Sequence, residues 1–201
     1  MLLNKADNMG TNENRSTEEA ILEAAEAEFI EKGFDQARTV SIAQRAGVTH
    51  ALLHYYFRTK EQLFDKILDR KIGLIEEVVT SLFAEPDLPL KERLTQVISR
   101  HFDLLVANPG LPRFLMGEMP RVAPLMKERV LAKVLPALVT LQKEIDMDAT
   151  QLLLDILSQN MFPFLVGPAL ELSGVASEGM ETLLEQIKQE NITIILKRLE
   201  L

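Results

Sequence analysis

The 201-residue chain has no cysteine, only 5% aromatic residues and more acid than base, with 22 Lys and Arg against 30 Asp and Glu for a net charge of -8. Without cysteine there is neither a disulfide framework nor a thiolate metal site. The opening Met1 to Arg15 is polar and lacks the apolar segment of a signal peptide, and no apolar run approaches the roughly 18 residues of a membrane helix. A soluble, cytoplasmic protein with no membrane partner is expected. A nucleophile would need a base oriented by a third group, and with no recognisable serine-centred turn no such set is found, so neither an enzyme nor a cofactor is expected. Strand-like alternation, internal repeats and low-complexity tracts are also missing. What remains is 47% hydrophobic residues, ample for the core of one or two domains.

Thr39 to Gln62 carries the most information. Thr39 can cap a short helix bearing Ile42, Ala43 and Ala46 on one side, Gly47 supplies the dihedrals of a sharp turn, and Val48 plugs the corner. Thr49 can cap a second short helix in which Leu52 and Leu53 face inward, leaving Thr49, His50, Ala51, His54 and Tyr55 outside. This is helix-turn-helix spacing, with a second helix sized for a major groove. Thr59 and Gln62 form a capping box that predicts a third helix from Lys60, and Ser16 with Glu19 forms another ahead of Ile21, Ala25 and Phe29, a helix that Gly33 would close. Although the chain is acidic, Gly33 to Lys60 holds Arg38, Arg45, Arg58 and Lys60 against Asp35 alone, a net +3. A small cationic patch on an acidic protein disfavours indiscriminate coating of DNA.

These residues carry a family resemblance. Phe29-Ile-Glu-Lys-Gly33-Phe34, the Ile42-Ala43 and Ala46-Gly47-Val48-Thr49 core, and Tyr56-Phe57 followed by Lys60-Glu61 and Leu63 resemble the N-terminal domain of the TetR family of bacterial transcription regulators, over about residues 16 to 65. The resemblance implies DNA-backbone contacts from Thr39, Tyr55 and Lys60 and groove contacts from Thr49, His50 and Ala51. Where the family usually has Leu-Tyr this chain has Leu53-His54, which passes a backbone contact to Tyr55 or His54. His50 and His54 also have the i, i+4 spacing of a metal pair, but no third ligand is evident and no metal is expected.

Beyond Leu63, helical periodicity broken by proline and glycine predicts helices at about 60 to 83, 88 to 107, 111 to 118, 122 to 145, 148 to 167 and 177 to 199, with breaks at Pro86 to Pro89, Asn108 to Gly110, Met119-Pro120 and Gly167 to Gly179. The expected fold is all-α: a flexible tail over 1–15, a three-helix DNA-binding head over 16–62, and a helical-bundle effector-binding and dimerisation domain over 63–201. Methionines and phenylalanines suit an adaptable apolar pocket, and His101, Phe102, Phe114, Glu118, Met119, Met126, Asn160, Met161 and Phe164 are its expected lining. Glu118 is expected to pair with Arg113, Arg121 or a cationic effector. Pro136 and Pro163 should kink their helices.

Leu152, Leu153, Ile156, Leu157 and Met161 on one late helix, and Leu183, Leu184, Ile187, Ile194, Ile195 and Leu199 on the last, offer apolar faces for a homodimer, as the resemblance also implies. A twofold pair would set two reading helices about 34–36 Å apart on a double-stranded operator. Together these features predict a ligand-responsive transcriptional regulator, commonly a repressor, released from its operator by a small apolar or amphipathic effector. The alternative is a DNA-binding architectural or adaptor protein of the same fold, with a protein partner and no effector.

Overall fold

The computed structural model describes residues 6–81, 87–173 and 179–201, and among them it contains ten α-helices, one π-helical segment and no strand. The all-helical expectation holds. The chain divides into two compact units, Met1–Arg70 and Lys71–Leu201.

The first unit contains α1 (Ala6–Gln36), α2 (Thr39–Arg45), α3 (His50–Tyr56) and the beginning of α4 (Lys60–Ser81). Because no proline interrupts residues 6 to 36, α1 starts ahead of Ser16, so the Ser16–Glu19 pair is not a helix start and residues 6–15 are helical; residues 1–5 of the expected tail lie outside the described residues. Glu19 instead accepts two hydrogen bonds from Arg70 at 2.7 and 2.8 Å, which hold its carboxyl below the ordinary range and tie α4 to α1. Gly33, at φ 72°, interrupts α1. That left-handed value is what a closing glycine supplies. Ile21, Ala25 and Phe29 of α1 are buried with Ile42, Leu53, Leu63 and Phe64. Phe29, Phe34 and Phe64 pack ring against ring, with centroids 4.9 to 6.0 Å apart.

The second unit continues through α5 (Leu90–Ala107), α6 (Leu111–Gly117), α7 (Met119–Leu125), the π-helical segment (Met126–Leu131), α8 (Ala132–Leu141), α9 (Ala149–Ser173) and α10 (Met180–Arg198). The single helix expected over 122 to 145 is thus three segments, widened at its centre into a π-helix. At the other expected break, α9 continues through Gly167 and Pro168 to Ser173. A proline removes one hydrogen bond, and a helix packed along α5 and α10 tolerates that loss. Pro86 and residues 174–178 lie outside the described residues.

The core of this unit is Leu94 and Ile98 of α5, Leu152 and Ile156 of α9, and Ile192, Ile195 and Leu196 of α10. Contrary to the expectation from apolar runs, Ala149–Ala169 of α9 is long and apolar enough to span a membrane by length and composition, although 28% of its most apolar stretch is buried within this fold. Gln151, Asp155 and Asn160 interrupt the run and hide it in the sequence.

Asn160 staples the three core helices. Its amide donates to the Ile98 carbonyl at 3.0 Å and to His101 Nδ1 at 3.2 Å, and its oxygen accepts from the Asn191 amide at 3.0 Å. With 0% exposure and both ends of its amide engaged, Asn160 is a structural residue, which corrects its placement in an effector site. Asn160→Ala would strand the Asn191 donor and the His101 acceptor, so a denaturant titration should show a loss of about 2–3 kcal/mol.

Candidate DNA interface and ligand cavity

The turn between α2 and α3 is built from short-range bonds. Gly47 adopts φ 69°, while its amide reaches the Gln44 carbonyl at 3.2 Å and that of Val48 reaches Ala43 at 3.0 Å. Only a residue without Cβ takes that backbone angle at little cost. Thr49 caps α3 as expected, its hydroxyl accepting from the Leu52 amide at 3.2 Å. Leu53 is fully buried, whereas Leu52 is 38% exposed, so only one of the two leucines expected inside anchors the helix. One α-helical turn separates Leu53 from Thr49, but Leu52 lies about 100° away, on the flank.

His50, Ala51, His54 and Tyr55 are exposed, with Tyr55 at 77%. His50 and His54 meet edge to face at 4.4 Å, and His54 Nδ1–H donates to the Arg58 carbonyl at 3.3 Å, which leaves Nε2 as its outward atom. Thr39 does not cap α2. Arg38 occupies the cap position without a side-chain bond, and the Thr39 hydroxyl lies 3.0 Å from His50 Nε2 across the turn. Thr39 is therefore engaged in orienting His50.

The cationic patch is reordered. Lys60 Nζ donates to the carbonyls of Phe34 at 2.8 Å, Ala37 at 3.1 Å and Asp35 at 3.4 Å, and lies 4.5 Å from the centre of the Phe34 ring. A cation placed there closes the C-terminal end of α1, so Lys60 is a clamp and not the free phosphate contact expected. Arg45 bonds Glu31 at 2.7 Å and lies 3.7 Å from Glu28, a carboxylate only 1% exposed that Lys32 also pairs at 2.7 Å. Arg38 and Arg58 remain exposed, with no side-chain partner among the described residues. The sequence places them in the patch without marking a role. The available signal is that each immediately precedes a threonine at a helix start, Thr39 or Thr59.

In the second unit a cavity of about 260 Å³ lies among α4, α5, the π-helical segment, α8 and α9. Its wall is aliphatic, with Val78, Leu94, Val97, Val130, Val134 and Leu153 among the contributors, and His101 and Met126 are the two expected residues that reach it. Phe102, Phe114 and Phe164 do not line it. They are buried elsewhere, with the rings of Phe102 and Phe164 5.3 Å apart. On α5 Val97 and His101 face the cavity and Leu94 is shared between its wall and the core, while 98, 102 and 105 turn inward away from it. Met161 is half-buried and Met119 41% exposed, and neither is part of the wall. Glu118 pairs with Arg121 at 3.0 Å, the expected ion pair.

Burial holds His101 down to about 4, and the Asn160 amide on Nδ1 suits a neutral ring with its proton on Nε2. The neutral native ring opposes the readily protonated unfolded one, so stability is full above pH 6.5 and falls as pH drops toward 4. Between about pH 6.5 and 4.5 the loss should be about 2–3 kcal/mol, and His101→Gln should flatten that part of the profile.

Geometry and composition together define a helix-turn-helix unit followed by a second helical unit. Residues 21–67 match the family described as bacterial regulatory proteins, tetR family. The chain thus carries a segment of that family's type in its first unit. It is 33% identical over 91 residues to a fatty acid metabolism regulator protein of Bacillus subtilis (strain 168), a match covering 45% of this chain and 46% of the relative. It is 32% identical over 93 residues to the nucleoid occlusion factor SlmA of Mannheimia succiniciproducens, covering 43% and 40%. Each match thus spans less than half of the relative's own length. A TetR family transcription regulator from Marinobacter aquaeolei VT8 shares the fold at a TM-score of 0.67 and 20% identity, over 91% of this chain and 97% of that one.

Proposed function

We propose that this protein is a ligand-responsive transcriptional repressor that binds a twofold DNA operator as a homodimer and leaves it when a small apolar or amphipathic effector enters the second unit. The observation that carries the reading is the aliphatic cavity in a chain whose other unit exposes a helix-turn-helix edge. His50 and Ala51 face base edges, Thr49 and Tyr55 contact the groove rim and backbone, and Arg38 and Arg58 bind phosphates. The name of the Bacillus subtilis relative ties that protein to fatty acid metabolism, and an aliphatic wall suits an effector with a hydrocarbon chain.

Coupling runs through α4. Ile75, Val78 and Val79 line the cavity, and between them Glu76 accepts from Lys133 at 2.9 Å and from Arg129 Nε at 3.0 Å. Those bonds hold Glu76 below the ordinary carboxylate range and fasten α4 to the π-helical segment and α8. An effector that displaces Met126 or Val130 also moves Arg129, and a coupling of about 1–3 kcal/mol changes operator affinity by about 5- to 150-fold.

The apolar residues expected to pair the protomers divide in role. Ile195 belongs to the protomer's own core, Leu152 and Ile156 to both core and cavity wall, and Leu153 and Leu157 to the cavity, whereas Ile194 is 43% exposed; with Leu154, Phe162 and Leu165, which are 37 to 62% exposed and not among the expected residues, it forms the face assigned to the partner. Phe162→Glu should therefore convert a dimer into a monomer in sedimentation.

Selection from a random duplex library tests the central reading: a palindromic site with half-sites one helical turn apart should emerge, and absence of DNA retention even at low salt would refute it. The adaptor alternative, to which the SlmA match belongs, requires operator binding that no cavity-sized ligand changes.

A further inference from the structure

Three polar side chains stand in the aliphatic wall, and two of them are already committed. Arg93 is paired with Glu144, and its Nε is sealed away from the space. The Thr140 hydroxyl is turned back onto the Pro136 carbonyl at 3.2 Å. His101 is engaged on one side alone. Its Nδ1 accepts from the Asn160 amide at 3.2 Å, while its Nε2 has no hydrogen-bond partner among the described residues. Nor is that atom sealed, because the unpartnered side-chain atoms enclosed within the described residues are Arg93 Nε and Gln159 Oε1. One turn of α5 to either side of His101 stand Val97, in the cavity wall, and the buried Leu105, whereas Arg100, Asp103 and Val106 occupy the outer face. The accessible edge of the ring thus opens into the cavity.

The Asn160 staple fixes what this edge can offer. One amide hydrogen of Asn160 goes to the Ile98 carbonyl and the other to His101 Nδ1, and its oxygen is held by Asn191. Nδ1 must therefore stay bare, which puts the ring proton on Nε2 and presents a donor to the cavity. Charging the ring would add a hydrogen at Nδ1, against the Asn160 amide, and break the staple. A ligand carboxylate thus finds no counter-charge on His101 and none on Arg93, which Glu144 already balances, and its burial in a hydrocarbon wall is unfavourable. An uncharged acceptor meets the same N–H without that penalty.

We infer that His101 Nε2–H is the polar anchor of the cavity and that its ligand is a medium-length aliphatic molecule bearing one uncharged acceptor, such as a ketone, ester or ether oxygen. The hydrocarbon part packs against the valine and leucine wall. The cavity volume of about 260 Å³ holds roughly nine non-hydrogen atoms at about 30 Å³ each. The inference rests on the proposed role of the cavity as the effector site and adds the chemistry by which the ligand is held.

The full-length protein, isotope-labelled at its three histidines, should be titrated with 2-octanone, octane and octanoate, with binding followed by calorimetry and the imidazole nitrogens by NMR. 2-Octanone should bind about two- to tenfold more tightly than octane, the net worth of one neutral hydrogen bond, and at least about tenfold more tightly than octanoate. It should move the Nε2 resonance of His101 well beyond any change that octane produces. His101→Leu should bring the ketone down to the affinity of octane without weakening octane, and the resonance shift in the parent tests the anchor independently should that variant fail to fold. A ketone no tighter than octane, a preference for octanoate, or an Nε2 resonance unmoved by saturating 2-octanone overturns the anchor while the cavity role stands. Failure of all three probes to bind overturns both.

Discussion

The Arg38→Ala, Arg58→Ala double variant should bind the selected operator on the order of a thousandfold more weakly than the parent, with an unchanged melting temperature. Both side chains are exposed and have no partner among the described residues, so their removal costs the fold nothing. A dimer would lose four phosphate contacts, and at about 1 kcal/mol each that is roughly three decades in affinity. The salt dependence gives the sharper test, because each lost contact lowers the slope of log K against log salt by about 0.9, a total of about 3.6. Loss of affinity with an unchanged slope would show that the arginines act otherwise than through phosphates. His50→Ala should by contrast alter which operator is selected more than it alters the slope.

Lys60→Met should have the opposite signature. It keeps the approximate length of the side chain but deletes an ammonium that binds three carbonyls and covers an aromatic ring. The first unit should then lose about 3 kcal/mol and melt earlier. DNA affinity would fall only to the extent that the unit unfolds, and at a temperature where it stays folded the salt slope should match the parent. A reduced slope in the folded variant would restore Lys60 to the phosphate-binding set.

These two results separate what is legible in the sequence from what is not. Gly47, Thr49 and Thr59 act within three or four residues of themselves, so the turn and both caps can be read from adjacent letters. Lys60 meets Phe34 across 26 residues and Arg45 meets Glu31 across 14, contacts that only the folded arrangement of helices creates. The cavity is hidden for another reason. Valine and leucine line it just as they line the core, so no residue type marks it, while phenylalanine and methionine point to a region filled by their own bulk. Asn160 is visible as a polar residue in an apolar helix, but its role depends on Ile98 and Asn191, 62 and 31 positions away.

The π-helical segment between Met126 and Leu131 has a genetic consequence. Its wider turn holds more residues than an α-helix of equal rise, so loss of a single codon there can be absorbed by tightening instead of by breaking the helix. Such tightening would rotate the downstream side chains by roughly 100°. Val134 and Leu138 would leave the cavity wall, and their neighbours would be presented in their place. A one-triplet deletion is thus a route by which descendants of this protein could change the shape of the cavity while keeping the same architecture.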